Sequence, residues 1–185
     1  MITIEQVKIN NLDETIRNIG LSYNTIGKYD TAIKLAKQKP CSGHDSFLKG
    51  ITVNFLLTAP HYFIIEMQRY HFLDIVMSTS KMHSLKDWGF IISNMTGEID
   101  ESILEIIHEL WDDYVNSAVS EKEKERRFRY LLNNLPLGMM LKMYITTNYL
   151  QLKNIYYQRK DHKLAEWRIF CKYIKSLPLF EEIFN

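Results

Sequence analysis

Three groups of polar residues carry the chemistry this chain could do. The first lies in Glu66 to His83, EMQRYHFLDIVMSTSKMH, where Arg69, Tyr70 and His71 sit inside an apolar, aromatic run and Ser78-Thr79-Ser80 closes on Lys81. Core segments seldom carry so many polar heads, and surface segments seldom carry so much Phe, Ile, Met and Tyr. A segment packed on one side and facing a ligand on the other needs both. The second group is SGHDSF, Ser42 to Phe47, read as a turn in which Asp45 and Ser46 bond local backbone. The third is Asn148, Asn154 and Arg159, with Gln151 between them. On one helix Asn148 and Arg159 fall about 20° apart around the axis, Gln151 roughly 60° to one side and Asn154 about 120° away. Amide donors and acceptors beside a guanidinium fork suit heterocycles and phosphates. A plain surface stripe accounts for the same spacing.

Other chemistry lacks its residues. There is no GxGxxG and no GxxxxGK[ST], so dinucleotide and triphosphate binding lack their usual glycine loops. There is no G-x-S-x-G elbow, and no Cys-His pair from which to propose a nucleophile. The two cysteines, Cys41 and Cys171, are far apart and read as reduced thiols. His71 and His83 would need distant help to bind metal, and no metal site is expected. The net charge of +1 gives no grip on a phosphate backbone, so nucleic acid is not an expected partner. The start, MITIEQVKIN, is no signal peptide, and the most apolar region, Ile51 to Ile65, is broken by Asn54, Pro60 and His61. A soluble, cytoplasmic protein without a membrane span is expected.

The elements that position these groups follow from periodicity. With 185 residues, 46% of them hydrophobic, and no linker, the chain is expected to be one domain over residues 1–185. MITIEQVKI alternates like a strand, as do Ile51, Val53, Phe55 and Leu57. Asp30 is expected to cap TAIKLAKQ, with Pro40 stopping it. Pro60 suits the first turn of a helix over about 61–73. Ile99 to Val115 is a clear amphipathic helix with Asp100 as its N-cap and His108 on its polar side. Ser120 and Glu123 form a capping box, and EKEKERRFR reads as a solvated face with opposite charges three or four apart. From Asn134 and Pro136 a single long helix is predicted through Lys160, and KLAEWRIFCKYIKSL is the predicted final helix, stopped by Pro178. The sum is an α+β fold, mostly long helices around a small, mainly antiparallel sheet.

In order and spacing, the three groups resemble the signatures of the flavin-dependent thymidylate synthases, the ThyX family. Gly43 and His44 match the opening of the first signature, and Ser46 replaces its Thr. Arg69 matches the first Arg of the second, with Tyr70 in place of a His and His71 in place of an Arg. Leu135-Pro136, Thr146, Asn148, Asn154 and Arg159 match the third in register. The resemblance covers roughly Gly43 to Pro178, and Asp74, Val76, Met77, Leu132, Leu150 and Lys163 depart from it.

The resemblance implies a thymidylate synthase-complementing-protein-like fold that binds FAD without a Rossmann loop. It also implies transfer of a one-carbon unit from methylenetetrahydrofolate to C5 of dUMP, with NADPH as reductant, in a homotetramer with interface active sites. His44, Ser46, Arg69, Tyr70, His71, Asn148 and Asn154 would hold the flavin. Glu66, Arg69, Thr79, Ser80, Lys81 and Arg159 would meet the nucleotide, with Arg159 polarising the pyrimidine. Lys81 stands where the family has Arg, which keeps the charge and loses the bidentate fork. A different C5 modification of a pyrimidine nucleotide and a non-catalytic nucleotide-binding or assembly protein on the same scaffold are the alternatives.

Overall fold

Alternating burial makes the sheet. Ile51, Val53, Phe55, Leu57 and Ala59 have no exposed surface, while the residues between them are half-buried. That period of two is what a strand with one face in a core requires. The structure, a computed structural model, describes residues 1–40, 42–96 and 98–184; the thiol expected at Cys41 therefore lies outside the described residues.

In chain order the elements are β1 (Thr3–Asn10), α1 (Leu12–Asn18), a 3-10 turn (Leu21–Tyr23), α2 (Tyr29–Ala36), a second 3-10 turn (Ser46–Gly50), β2 (Thr52–Pro60), α3 (His61–Met67), β3 (Leu73–Ser78), α4 (Lys81–Ser84), α5 (Trp88–Ser93), α6 (Glu101–Val115), α7 (Glu121–Asn134), β4 (Met140–Asn148), α8 (Tyr149–Arg159), α9 (Ala165–Lys175) and α10 (Phe180–Phe184). The strands form one antiparallel sheet in the order β1-β2-β4-β3. This is the α+β architecture expected. Among the described residues no helix is long and apolar enough to cross a membrane.

The chain forms two compact units. The first comprises Met1–Leu57, Met67–Met77 and Tyr144–Asn185. Its core joins Phe55 to Phe170 and Tyr173, with ring centroids 5.9 and 5.8 Å apart, and stacks Tyr149 on Phe180 at 4.4 Å. Trp167, Phe170 and Ile174 present the buried face of α9. Each such fully buried side chain contributes roughly 1.5–3 kcal/mol. The second unit comprises Thr58–Glu66 and Ser78–Met143. There Leu85, Ile91, Ile107, Tyr114, Leu131 and Met139 form a separate apolar cluster, with Trp88, Trp111 and Phe128 against it. Asp100 caps α6 through Ser102 N at 2.9 Å, and Ser120 caps α7 through Glu123 N at 3.4 Å, as predicted. The charge run of α7 pairs Arg126 with Glu123 and Arg129 with Glu125, both at 2.7 Å, on a solvated face.

Several expectations need correction. The helix predicted from Asn134 to Lys160 is two elements. Leu141, Met143, Ile145 and Thr147 are buried alternately, and β-branched Ile145-Thr146-Thr147 favours extended backbone, so 140–148 is β4 and only α8 is helical. Asn148 therefore stands at a strand-to-helix junction, and the 20° separation from Arg159 predicted for a continuous helix does not apply. The helix predicted over 61–73 ends at Met67, and 73–78 is a strand, β3, with Thr147 Oγ1 donating to Phe72 O at 2.5 Å as it begins. Lys28, not Asp30, occupies the α2 N-cap, without a side-chain bond; Asp30 lies in the first turn, where a negative charge favours the helix dipole. A further helix, α10, follows the one predicted to be last.

Candidate functional site

The first unit holds most of the predicted site residues, in three places. The best supported is around Arg159, the last residue of α8. Its Nε donates to the Tyr70 hydroxyl at 2.8 Å, and that hydroxyl donates to Gln158 Oε1 at 3.2 Å. The guanidinium carbon lies 4.8 Å from the centre of the Trp167 ring and 5.8 Å from that of Tyr70. The two rings meet edge to face at 5.7 Å. Trp167 is completely buried, so it is a rigid platform under a half-buried cation. Arg69 and His71, on either side of Tyr70, are exposed.

The second place is a groove of about 880 Å³ lined by His44, Ser46, Phe47, Tyr23, Ile26 and Lys28, among others. Its volume falls in the roughly 300–1,000 Å³ range of small-molecule and cofactor sites. The turn carrying His44 and Ser46 is pinned from beneath. Contrary to the prediction of a local backbone bond, the Asp45 side chain reaches across the fold: its Oδ2 accepts from Lys153 Nζ at 2.6 Å, and Lys153 Nζ also donates to Gln38 O at 2.7 Å. Both side chains of this ion pair are buried, at 0% and 2% exposure.

The third place is a smaller pocket of about 220 Å³ lined by Asn148, Asn154, Gln151, Leu150, Phe72 and Lys49. Asn148 caps α8, its Oδ1 accepting from Gln151 N at 2.9 Å, which leaves its amide nitrogen as the group it can offer a ligand.

The second unit holds the other predicted residues. Thr79 is bound to strand β4: its N donates to Lys142 O at 2.8 Å and its Oγ1 accepts from Lys142 N at 3.2 Å. Ser80 occupies the N-cap of α4 without making a cap bond. Glu66 is half-buried. Lys81 Nζ lies 3.4 Å from His61 Nδ1, a bond the ammonium donates when the imidazole is neutral. Burial, then the Lys81 charge, holds the His61 imidazole below its usual range, and burial holds the Lys81 ammonium below its own.

Sequence reasoning missed Trp167, Gln158, His61 and Lys153. Only Gln158, adjacent to Arg159 in sequence, carried a local signal. The others meet their partners through the fold. Arg129, one turn before Leu132, is exposed and paired with Glu125. Cys171 is buried, and burial pushes its thiol up to about 12, so it is no nucleophile at neutral pH.

No family model matches the chain, and no curated protein matches it. Solved structures do. The flavin-dependent thymidylate synthase ThyX from Helicobacter pylori, complexed with FAD and dUMP, is 14% identical with a TM-score of 0.73, over 97% of this chain and 98% of that one. A second structure of that enzyme with FAD and dUMP, also 14% identical, gives 0.74 with both chains covered completely. The UMP/dUMP methylase PolB from Streptomyces cacaoi, bound with 5-Br dUMP, is 13% identical and gives 0.65 over all of this chain and 94% of that one. At these identities the likeness is one of fold, and it extends from end to end.

Proposed function

We propose, from the premise that this chain carries the ThyX fold over its whole length, that it is a divergent flavin-dependent thymidylate synthase-like enzyme. It would transfer a one-carbon unit from methylenetetrahydrofolate to C5 of dUMP, with NADPH as reductant, and assemble as a homotetramer. The observation that carries the reading is Arg159, a guanidinium supported by a hydroxyl and an indole ring, in a fold shared with enzymes solved with FAD and dUMP.

The residues present fit a flavin. Its ring edge alternates carbonyl and nitrogen acceptors with an N–H donor, which the amides of Asn148, Gln151 and Asn154 complement. His44 and Ser46 would hold the remainder along their groove, and Arg69, Tyr70 and His71 would add charge and stacking. When bound, FAD supplies the redox chemistry that no side chain provides. Arg159 orients and polarises the pyrimidine by placing positive charge where the ring gains electron density. Lys81 and Ser80 would take a nucleotide phosphate, and Glu66 and Thr79 are proposed with them as nucleotide-binding residues. Thr79 chiefly fixes the chain there, since its backbone and hydroxyl are both bound to Lys142.

A second reading, modification of another pyrimidine nucleotide on the same fold, is favoured by the likeness to a UMP/dUMP methylase and by the Lys81–His61 pair. Purified protein is expected to be yellow, or to turn so on adding FAD, and to release tritium from 5-tritiated dUMP when folate and NADPH are present. Arg159→Ala should abolish release while leaving the flavin absorption band. Colourless protein that takes up no FAD would overturn both readings. Flavin uptake with release from UMP but not dUMP would select the second.

A further inference from the structure

Tyr70 stands at the centre of a closed hydrogen-bond relay. Its hydroxyl has one proton to give and lone pairs to offer. It gives the proton to Gln158 Oε1 at 3.2 Å and accepts from Arg159 Nε at 2.8 Å, so the two last residues of α8 fix its orientation from both sides. A hydroxyl used in both directions holds its partners more narrowly than one with a spare proton, because no other rotor position satisfies all three groups. The Trp167 indole then restricts the guanidinium from its face, 4.8 Å away, and the indole itself is immobilised by complete burial and by Phe170 at 6.2 Å. An arginine side chain left to itself loses a large share of its rotamer freedom on binding a ligand. Here that cost is met in the folded chain before any ligand arrives.

We infer that Tyr70 and Trp167 are positioning residues that hold the Arg159 guanidinium in a single orientation, Tyr70 through its hydroxyl and Trp167 through its ring face. The catalytic consequence rests on the proposed function, in which Arg159 meets the pyrimidine. The orientation itself does not. Tyr70 is half-exposed and the change to Phe removes only the hydroxyl, so Tyr70→Phe folds.

Two measurements separate the inference from the reading beneath it. The first is the ¹⁵N-resolved Nε–Hε signal of Arg159 in the free protein. It is expected to exchange slowly with solvent and to be displaced by the Trp167 ring current. Tyr70→Phe should speed the exchange about tenfold or more by removing the acceptor. Trp167→Phe should move the resonance while Tyr70→Phe leaves its displacement largely in place. An unprotected Hε in the wild-type protein, or exchange unchanged in Tyr70→Phe, overturns the inference. The second is the kinetics of tritium release. Loss of orientation acts on the transition state, so Tyr70→Phe should lower kcat about tenfold and leave the KM for dUMP within about twofold. An active wild-type enzyme whose kcat is unchanged by Tyr70→Phe also overturns it. A wild-type protein inactive on every pyrimidine nucleotide, whose Arg159 Hε is nevertheless protected and released by Tyr70→Phe, sinks the proposed function and upholds the positioning.

Discussion

Lys153 illustrates how a single residue can shape a site it does not line. Its ammonium is wholly buried and meets Asp45 and the Gln38 carbonyl, which ties α8 to the turn between His44 and Ser46. Removing one partner of a buried pair leaves the other charge without water or counterion, which costs about 3–5 kcal/mol. Lys153→Met is therefore expected to lower the urea midpoint by that equivalent, and to weaken FAD uptake because the turn carrying His44 and Ser46 loses its anchor. Restoring neutrality with Asp45→Asn in the same chain should recover part of the stability without recovering uptake. Full stability in the single variant would mean that the pair is solvated. The sequence shows Asp45 only as a turn residue because its partner lies 108 positions away. A lysine in the middle of an amphipathic stretch reads as solvated until the fold encloses it. Arg159 was legible for the opposite reason: its spacing from Asn148 and Asn154 survives in the chain whatever elements those residues occupy.

At the scale of elements, Asn148 has two roles that mutation can separate. It ends β4 in extended backbone, and its side chain caps α8 through Gln151 N, while it also lines the pocket it shares with Asn154. Ser keeps a capping oxygen and lacks the amide, whereas Ala lacks both. Asn148→Ala should cost about 1 kcal/mol and Asn148→Ser only a few tenths. If the amide contacts flavin, both variants lose FAD affinity to a similar degree in a fluorescence titration. Equal FAD binding in Asn148→Ser and the wild-type protein would leave the residue as a cap alone. The strand before it was misread because apolar Leu137, Met139, Met140, Leu141 and Met143 satisfy a helical and an alternating pattern nearly equally. Its β-branched end, Ile145 to Thr147, and the buried alternation decide for a strand once β2 and β3 lie on either side to receive its backbone bonds. The helices α6 and α7 were legible because each carries its own cap, Asp100 and Ser120, and a long amphipathic period. β3 was not, because Leu73 to Ser78 lies on the sheet's edge and carries no strict alternation.

At the scale of the whole molecule, the expectation of one domain becomes a question about cooperativity. The chain has two compact units, yet it passes from one to the other inside β2, between Leu57 and Thr58, at the end of α3, between Glu66 and Met67, inside β3, between Met77 and Ser78, and inside β4, between Met143 and Tyr144. A linker would let one unit melt while the other stayed folded. A continuous strand does not, because fraying its end removes backbone bonds from the next strand as well. We therefore propose a single unfolding transition. The tryptophans provide the test, since Trp88 and Trp111 lie in one unit and Trp167 in the other. A chain carrying Trp88→Phe and Trp111→Phe reports only on the unit of Trp167, and Trp167→Phe reports only on the other unit. Each midpoint is compared with the far-ultraviolet circular dichroism of the same variant, so that differences in stability between variants cancel. Coincidence of fluorescence and circular dichroism in both chains is the expected result and the mark of a two-state domain. A Trp167 transition that separates from the circular dichroism would instead make the unit of Arg159 and Tyr70 a folding unit of its own.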